Sequence, residues 1–472
     1  MFHRIRRSGR KLLSADAWKA RLVFWTGAIL LGLISTAFAH LTDATNGLFH
    51  GVMERWQYAP LVICPLGMGL VGWLTKRFAR GAQGSGIPQC IAALGMREHV
   101  SRSRLLSLKI AVSKIGLTLM GMLSGASIGR EGPTVHVGAA IMFSLGRWAK
   151  FPYHYMDHGL ILAGGAAGIG AAFNTPLAGI LFAIEEMSRS FEERTSGTLL
   201  TAVVLAGITS VAIQGNYTYF GTTQASLEPN QVWLPIIVCG VVGGMLGGLF
   251  STLLLWGSRK LSYLLTHRPE LVAAGCGLAI ALIGMASGNL TFGTGYEHAK
   301  EVVTQSGTVP TSYPYLKMLA TLVSYVSGIP GGLFAPTLAS GAGLGQNLAH
   351  LMPGLPAGAI IILGMVGYFT GVVQTPITSF VIVMEMTDNP GLLLPLMATS
   401  FIAYATSRLV CPEPVYQALA RAFLPRRVAP PEAAAAAPAE GVDTRVEDSG
   451  QTVKAKAREG ARPAAAPDSR DS

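Results

Sequence analysis

Charge is what this sequence has least of. Only 13% of its 472 residues are Asp, Glu, Lys or Arg, while 50% are hydrophobic. An ordinary soluble domain carries about 25% charged residues, so a water-covered surface is excluded for most of the chain. Cysteine is scarce as well. Cys64, Cys90, Cys239, Cys276 and Cys411 are scattered, with no CxxC spacing. That excludes a disulfide framework and a zinc site, and leaves five small core residues. No motif asks for a metal or any other cofactor.

What is there is apolar and rich in glycine. Charge-poor stretches recur at Leu22–Ala39, Leu61–Leu74, Gly159–Ile184, Leu234–Leu255, Leu271–Met285 and Ile360–Val373. Gly159–Ile184 runs 26 residues without a charge, more than the roughly 20 needed to span a bilayer. Others are shorter or broken by Gly and Pro, which predicts tilted, half-length or re-entrant helices. Gly240, Gly243, Gly244, Gly247 and Gly248 supply overlapping GxxxG spacings for close packing. Whether that face meets another helix of the same chain or a second subunit is open. The net charge of +11 does not point to nucleic acid. Arg4, Arg6, Arg7, Arg10 and Lys11 precede the first apolar run and read as positive-inside anchors, with the N-terminus in the cytoplasm. The same basic start followed by Ala37-Phe38-Ala39 has the layout of a signal peptide and its cleavage site, but the many apolar segments downstream favour retention.

Three regions follow: a basic lead at 1–15, a membrane body at 16–424, and an Ala/Pro-rich tail at 425–472. The tail balances 8 basic against 8 acidic residues, lacks apolar periodicity, and is expected to be disordered. The body repeats. Pro133-Thr134 with Gly138 returns 203 residues later as Pro336-Thr337 with Gly341, and Thr175-Pro176 with Glu185 returns 200 residues later as Thr375-Pro376 with Glu385. Paired, proline-interrupted segments in two halves, about 16–215 and 230–424, are what secondary transporters show.

Residues 129–133 read Gly-Arg-Glu-Gly-Pro, between Ile115–Gly129 and Gly132–Gly146, which hold no charge. Arg130 and Glu131 therefore sit where charge costs at least a few kcal/mol and marks an ion or proton path. Gly and Pro there open a helix, whose free N–H groups suit an anion. Gly84-Ser85-Gly86-Ile87-Pro88 and Gly332-Leu333-Phe334-Ala335-Pro336 repeat that start signal. If the three starts converge, their N–H groups replace water around an anion, and Ser85 adds a hydroxyl.

GSGIP at 84–88, GREGP at 129–133, GGLFAP at 331–336 and the late Tyr416 resemble, in order and spacing, the CLC chloride channels and transporters. AAFNTPLAGILFAIEE at 171–186 and TPITSFVIVMEMTDN at 375–389 extend the resemblance over nearly all of 16–424. It implies an all-α polytopic membrane protein of about 18 helices in two inverted repeats, forming a homodimer with one pore per subunit. It also implies a cell (inner) membrane location with both termini cytoplasmic. Ser85 and Tyr416 match the hydroxyls that hold the central chloride in that family. Leu333 and Phe334 match the residues whose backbone N–H groups complete the site. Glu131 matches the gating glutamate and outer proton site, with Arg130 as supporting electrostatics. Glu186 matches the internal proton-transfer glutamate, which proton-coupled members retain and channels typically replace. Ser85 also resembles chloride-type members, since nitrate accumulators carry Pro at that position.

The expectation is exchange of chloride for protons, with a passive gated channel as the alternative. Without the family, Glu185 and Glu186 read as interface caps beside Arg189, Glu192, Glu193 and Arg194. Glu385 reads as the ion-paired or hydrogen-bonded end of the repeat-related helix, with a third proton site as the alternative. His136 reads as a packed helix histidine. Gly125–Gly129 fits GxSxG, but no strand-like alternation precedes it, so a membrane-embedded serine hydrolase is a remote reading. Asn216 and Asn289 sit in glycosylation sequons, a frequent pattern.

Overall fold

The computed structural model describes residues 15–96, 99–149, 153–188, 196–215 and 218–424. Residues 1–14 of the basic lead, the tail from 425, the cluster Arg189 to Arg194 and Asn216 lie outside the described residues. What is described is helical. The first half holds α1 (Ala15–Arg55), α2 (Pro60–Phe78), α3 (Ile87–Gly95), α4 (His99–Leu105), α5 (Leu108–Leu123), α6 (Glu131–Trp148), α7 (Tyr153–Phe173), α8 (Pro176–Phe182) and α9 (Ser196–Gln214). The second holds α10 (Trp233–His267), α11 (Pro269–Ala286), α12 (Tyr296–Val303), α13 (Tyr313–Val326), α14 (Phe334–Leu351), α15 (Ala357–Val373), α16 (Pro376–Thr387), α17 (Leu393–Val410) and α18 (Val415–Ala420). The triplet Ala37-Phe38-Ala39 lies inside the continuous α1.

Six of the described helices are long and apolar enough to cross a membrane. The surface follows the solvent that such helices need. Leu66, Ile208, Leu282 and Leu394 point outward and are exposed, while Lys114, Glu131, Glu186 and Lys317 are buried. In a bilayer the backbone must be satisfied within the protein, and polar side chains turn inward.

Glycine sets how closely the helices approach. A Cβ on Gly243 or Gly247 would lie 2.5 Å from the backbone of Gly367 or Gly371 on α15, and one on Gly244 would lie 2.5 Å from Ala403 O on α17. The glycine face of α10 is therefore spent inside the chain, between α15 and α17, which closes the question its spacing left open.

The 26-residue run at Gly159–Ile184 is not one span. It breaks at Asn174, whose φ of 56° is left-handed, and restarts at Pro176 as α8. Proline lacks the N–H that would continue α7, and the residue before it disfavours helix. The second half repeats the break at Gln374, with φ 58°, before Pro376 and α16. Neither Thr175 nor Thr375 caps the new helix with its side chain. The caps come from the other half. Glu385 accepts from the N–H groups of Leu177 and Ala178 at 3.2 and 2.8 Å. Glu185 accepts from those of Ile377 and Thr378 at 3.1 and 2.6 Å. Each carboxylate sits at the far end of its own segment, so α8 and α16 run antiparallel and cap each other. Equivalent helices in opposite directions are the local mark of an inverted repeat.

Hydrogen bonds to a charged acceptor contribute about 1.5–3 kcal/mol. Glu385→Ala is expected to lower the thermal unfolding midpoint of the detergent-purified protein by several degrees, with Glu385→Gln intermediate because one amide oxygen remains to accept. An unchanged midpoint in both variants would mean that the cross-cap contributes nothing.

Candidate functional site

Three loops that open helices meet at one place. Gly84 N–H donates to Ile329 O at 3.1 Å, and Gly331 N–H donates to Gly84 O at 3.2 Å. Gly129 and Gly332 exchange both backbone bonds, at 2.8 and 2.7 Å. The starts of α3, α6 and α14 are thus joined through their own backbones. Gly86 precedes α3 with φ 105°, a conformation that side chains resist. Ser85 packs on the first turn of α6, so closely that a Cβ on Gly132 would lie 2.1 Å from Ser85 Oγ and 3.0 Å from Ser85 O.

The expected site residues gather around this junction. Ser85, Tyr416, Leu333, Phe334 and Glu131 are all buried. Tyr416, on α18, comes from the far end of the chain; its ring lies 6.0 Å from that of Phe334. Phe334 in turn packs against Phe369, Phe173 and Phe182 at 5.1, 6.1 and 6.0 Å. Ser85 Oγ and Tyr416 Oη face each other, and neither makes a full hydrogen bond. Leaving a buried polar group unsatisfied costs about 1–3 kcal/mol, so two such hydroxyls side by side suit a ligand that accepts hydrogen bonds. Leu333 and Phe334 stand at the N-cap and first residue of α14, where free N–H groups gather.

Two carboxylates, Glu131 and Glu186, lie within electrostatic reach of Tyr416. Glu131 begins α6 with Arg130 as its N-cap. Its carboxylate faces the backbone N–H groups of Arg130 and Ala335, with the Arg130 charge nearby, yet neither oxygen makes a full hydrogen bond. Arg130 also faces Asp43 of α1. Glu186 lies on a π-helical turn, Ala183–Ser188, that continues α8. No pattern in the sequence signals that turn. Glu186 is 1% exposed, and its backbone carbonyl accepts from Gln417 Nε2 at 3.0 Å. Gln417 and Tyr416 are neighbours on α18, so that short helix links the inner carboxylate to the hydroxyl site. Glu185 and Gln417 also line a cavity of about 1050 Å³, together with Arg408, Glu413 and Arg421.

Other residues were not signalled by any motif. Lys114 is fully buried and its Nζ donates to Gly84 O at 3.2 Å, beneath the loop that carries Ser85. Lys317 is fully buried and donates to Thr291 O and Gly293 O at 2.9 and 2.7 Å. The two lysines are themselves 203 residues apart, the spacing of the Pro-Thr repeat, and that spacing would have found them. His136 is a packed helix histidine, with Nε2 2.9 Å from Leu105 O. Ser127 lies in the loop between α5 and α6, buried, 3.0 Å from Thr321 Oγ1. That helix–loop–helix setting is not the strand–turn–helix that a nucleophile elbow requires.

A family model described as voltage gated chloride channel matches residues 67–408. The H(+)/Cl(-) exchange transporter ClcA of Yersinia pseudotuberculosis serotype IB (strain PB1/+) is 31% identical over 429 residues, covering 83% of this chain and 85% of that protein. ClcA of Salmonella schwarzengrund (strain CVM19633) is 30% identical over 439 residues, covering 87% and 90%. Among solved structures, the X-ray crystal structure of a slow cyanobacterial Cl-/H+ antiporter matches with a TM-score of 0.74 at 25% identity, over 87% of this chain and 99% of that one. A CLC-type fluoride/proton antiporter matches at 0.73 and 23% identity over 86% and 99%, a likeness of fold alone.

The contact between Gly132 and Ser85 leaves no room for a methyl group. Gly132→Ala is expected to push Ser85 out of line and to weaken chloride binding by about tenfold or more, the loss of one charge-assisted hydrogen bond. Isothermal titration of the purified protein with chloride checks this; an unchanged affinity would show that the junction tolerates displacement of Ser85.

Proposed function

The chain belongs to the voltage gated chloride channel family, and from that premise we propose that it is a membrane transporter exchanging chloride for protons. The family is one of transporters and channels, and the reading is transport without enzymatic turnover. The observation that carries it is the presence of two buried carboxylates, Glu131 and Glu186, within electrostatic reach of Tyr416, whose hydroxyl, like that of Ser85, makes no full hydrogen bond.

The physical argument runs through competition. Chloride and an ionised Glu131 want the same donors: Ser85 and Tyr416 hydroxyls and the N–H groups at the start of α14. While Glu131 is ionised it can occupy an anion position at the junction. Protonation removes its charge and its claim on those donors, so a proton enters as the anion site becomes available. Glu186 serves as the inner proton station, reached along a route that leaves the anion path at Tyr416. Arg130 supports the outer site by its charge. Donors are numerous enough to strip the anion of water, yet most are neutral, so the anion is held without being trapped. Ser85 in its loop favours chloride as the substrate.

In this reading the transmembrane domain is 16–424, with halves at about 16–215 and 230–424. The working form is a homodimer in the cell (inner) membrane, with both termini cytoplasmic, as the basic residues before α1 suggest.

Reconstituted in liposomes with an outward chloride gradient and no initial pH difference, the protein is expected to draw protons inward against their own gradient as chloride leaves. A pH electrode in the external medium reads this directly; chloride efflux with no proton uptake would make the protein a passive channel. Glu131→Gln and Glu186→Gln are each expected to abolish proton uptake while anion movement persists. Full coupling in either variant would remove that residue from the proton route.

A further inference from the structure

A third hydroxyl stands at the junction. Tyr325 lies one residue before the end of α13, and its ring is buried. Its hydroxyl would lie 3.2 Å from a Cβ on Gly84, which puts it against the loop that carries Ser85, and it interacts with the Ser85 backbone N–H. Tyr416 is within its electrostatic reach. The end of α13 is held in place: Ser324 Oγ accepts from Ser127 N–H at 2.9 Å, and Thr321 Oγ1 is 3.0 Å from Ser127 Oγ. Ser327, just beyond, donates to Ser324 O at 2.6 Å. Tyr325 is therefore presented by a pinned helix end.

A phenol carries one donor and two acceptor positions. The Ser85 N–H faces the Tyr325 oxygen, and a phenol that accepts there keeps its own O–H to donate. The Ser85 hydroxyl belongs to that same loop and Tyr416 lies within electrostatic reach, and neither Ser85 Oγ nor Tyr416 Oη makes a full hydrogen bond. Three buried residues thus bring hydroxyls to the neighbourhood of the Ser85 loop. Their cheapest common satisfaction is a single acceptor with charge.

We propose that Tyr325 is a specificity-determining residue of the anion site, supplying a third hydroxyl donor that favours chloride over larger, more weakly hydrated anions. This rests on the reading of Ser85 and Tyr416 as the anion-holding hydroxyls. The reason is field strength. Each added donor repays more of the lost hydration of a small anion than of bromide or nitrate, so the number and strength of coordinating dipoles sets the preference.

Tyr325→Phe removes one oxygen and keeps the ring, so the packing of α13 is preserved. Isothermal titration of the full-length, detergent-purified variant with chloride, bromide and nitrate tests the proposal, with Ser85→Ala alongside. The chloride affinity of Tyr325→Phe is expected to fall about tenfold, and bromide and nitrate affinities less, so that the preference for chloride narrows. Proton uptake driven by chloride efflux is expected to persist, because Glu131 and Glu186 are untouched. If Ser85→Ala weakens chloride binding while Tyr325→Phe leaves all three affinities unchanged, the Tyr325 proposal fails and the anion site stands. If Ser85→Ala and Tyr325→Phe both leave chloride affinity unchanged, the anion site itself is misplaced and the Tyr325 proposal falls with it.

Discussion

The structure depends on one constraint: a helix broken inside a bilayer exposes backbone N–H and C=O groups that water is not there to satisfy. This chain breaks its helices repeatedly, and meets the constraint in two ways. At the junction of α3, α6 and α14 the loops bond to one another, Gly129 with Gly332 and Gly84 with Ile329 and Gly331. At α8 and α16 the freed N–H groups receive carboxylates from the opposite half. The first solution uses up the backbone groups of the loops before the helices and leaves the first-turn N–H groups inside them available. The second leaves nothing available. A site for a ligand and a structural joint are thus made from the same kind of break, and what differs is whether the protein supplies its own anion.

That distinction also organises the buried charges. Glu185 and Glu385 are acceptors in fixed bonds, and they hold the two halves together. Glu131 sits at a comparable helix start without a full hydrogen bond, which is what a group that must leave its position requires. Lys114 and Lys317 act through backbone carbonyls. Lys114 thereby holds the loop that carries Ser85 by the carbonyl one residue before it.

Much of this was legible in the sequence because breaking a helix takes particular residues. Glycine and proline at 84–88, 129–133 and 331–336 mark the starts, and the 200- and 203-residue offsets mark the duplication. The resemblance then brought in Tyr416, which no local pattern could have joined to Ser85 across more than 300 residues. Three features were not legible. Thr175-Pro176 marks the break in the 26-residue apolar run, but the left-handed turn at Asn174 that makes it shows only in the backbone. The cross-caps needed the antiparallel packing of α8 and α16, a tertiary fact, although the repeat had already paired Glu185 with Glu385. Tyr325 carries no motif at all; it is one aromatic residue in an apolar helix, and only the approach of α13 to Gly84 gives its hydroxyl a role.

The adjacent carboxylates Glu185 and Glu186 do different work on the π turn at Ala183–Ser188. Neighbouring residues on a helix are about 100° apart, so the two side chains meet different neighbours. A π turn takes in an extra residue without ending the helix, and such turns gather at functional sites. Here it coincides with a division of labour. Glu185 reaches sideways to the start of α16 and lines the cavity, while Glu186 is turned inward and its carbonyl is tied to Gln417 beside Tyr416. The first carboxylate fixes the segment and the second is delivered to the interior. The proposed inner proton station has to stand apart from the anion, and Glu186 is a buried residue held one position beyond a fixed cap that itself lines a cavity. The cross-cap that satisfies a broken helix is in this way also what aims Glu186.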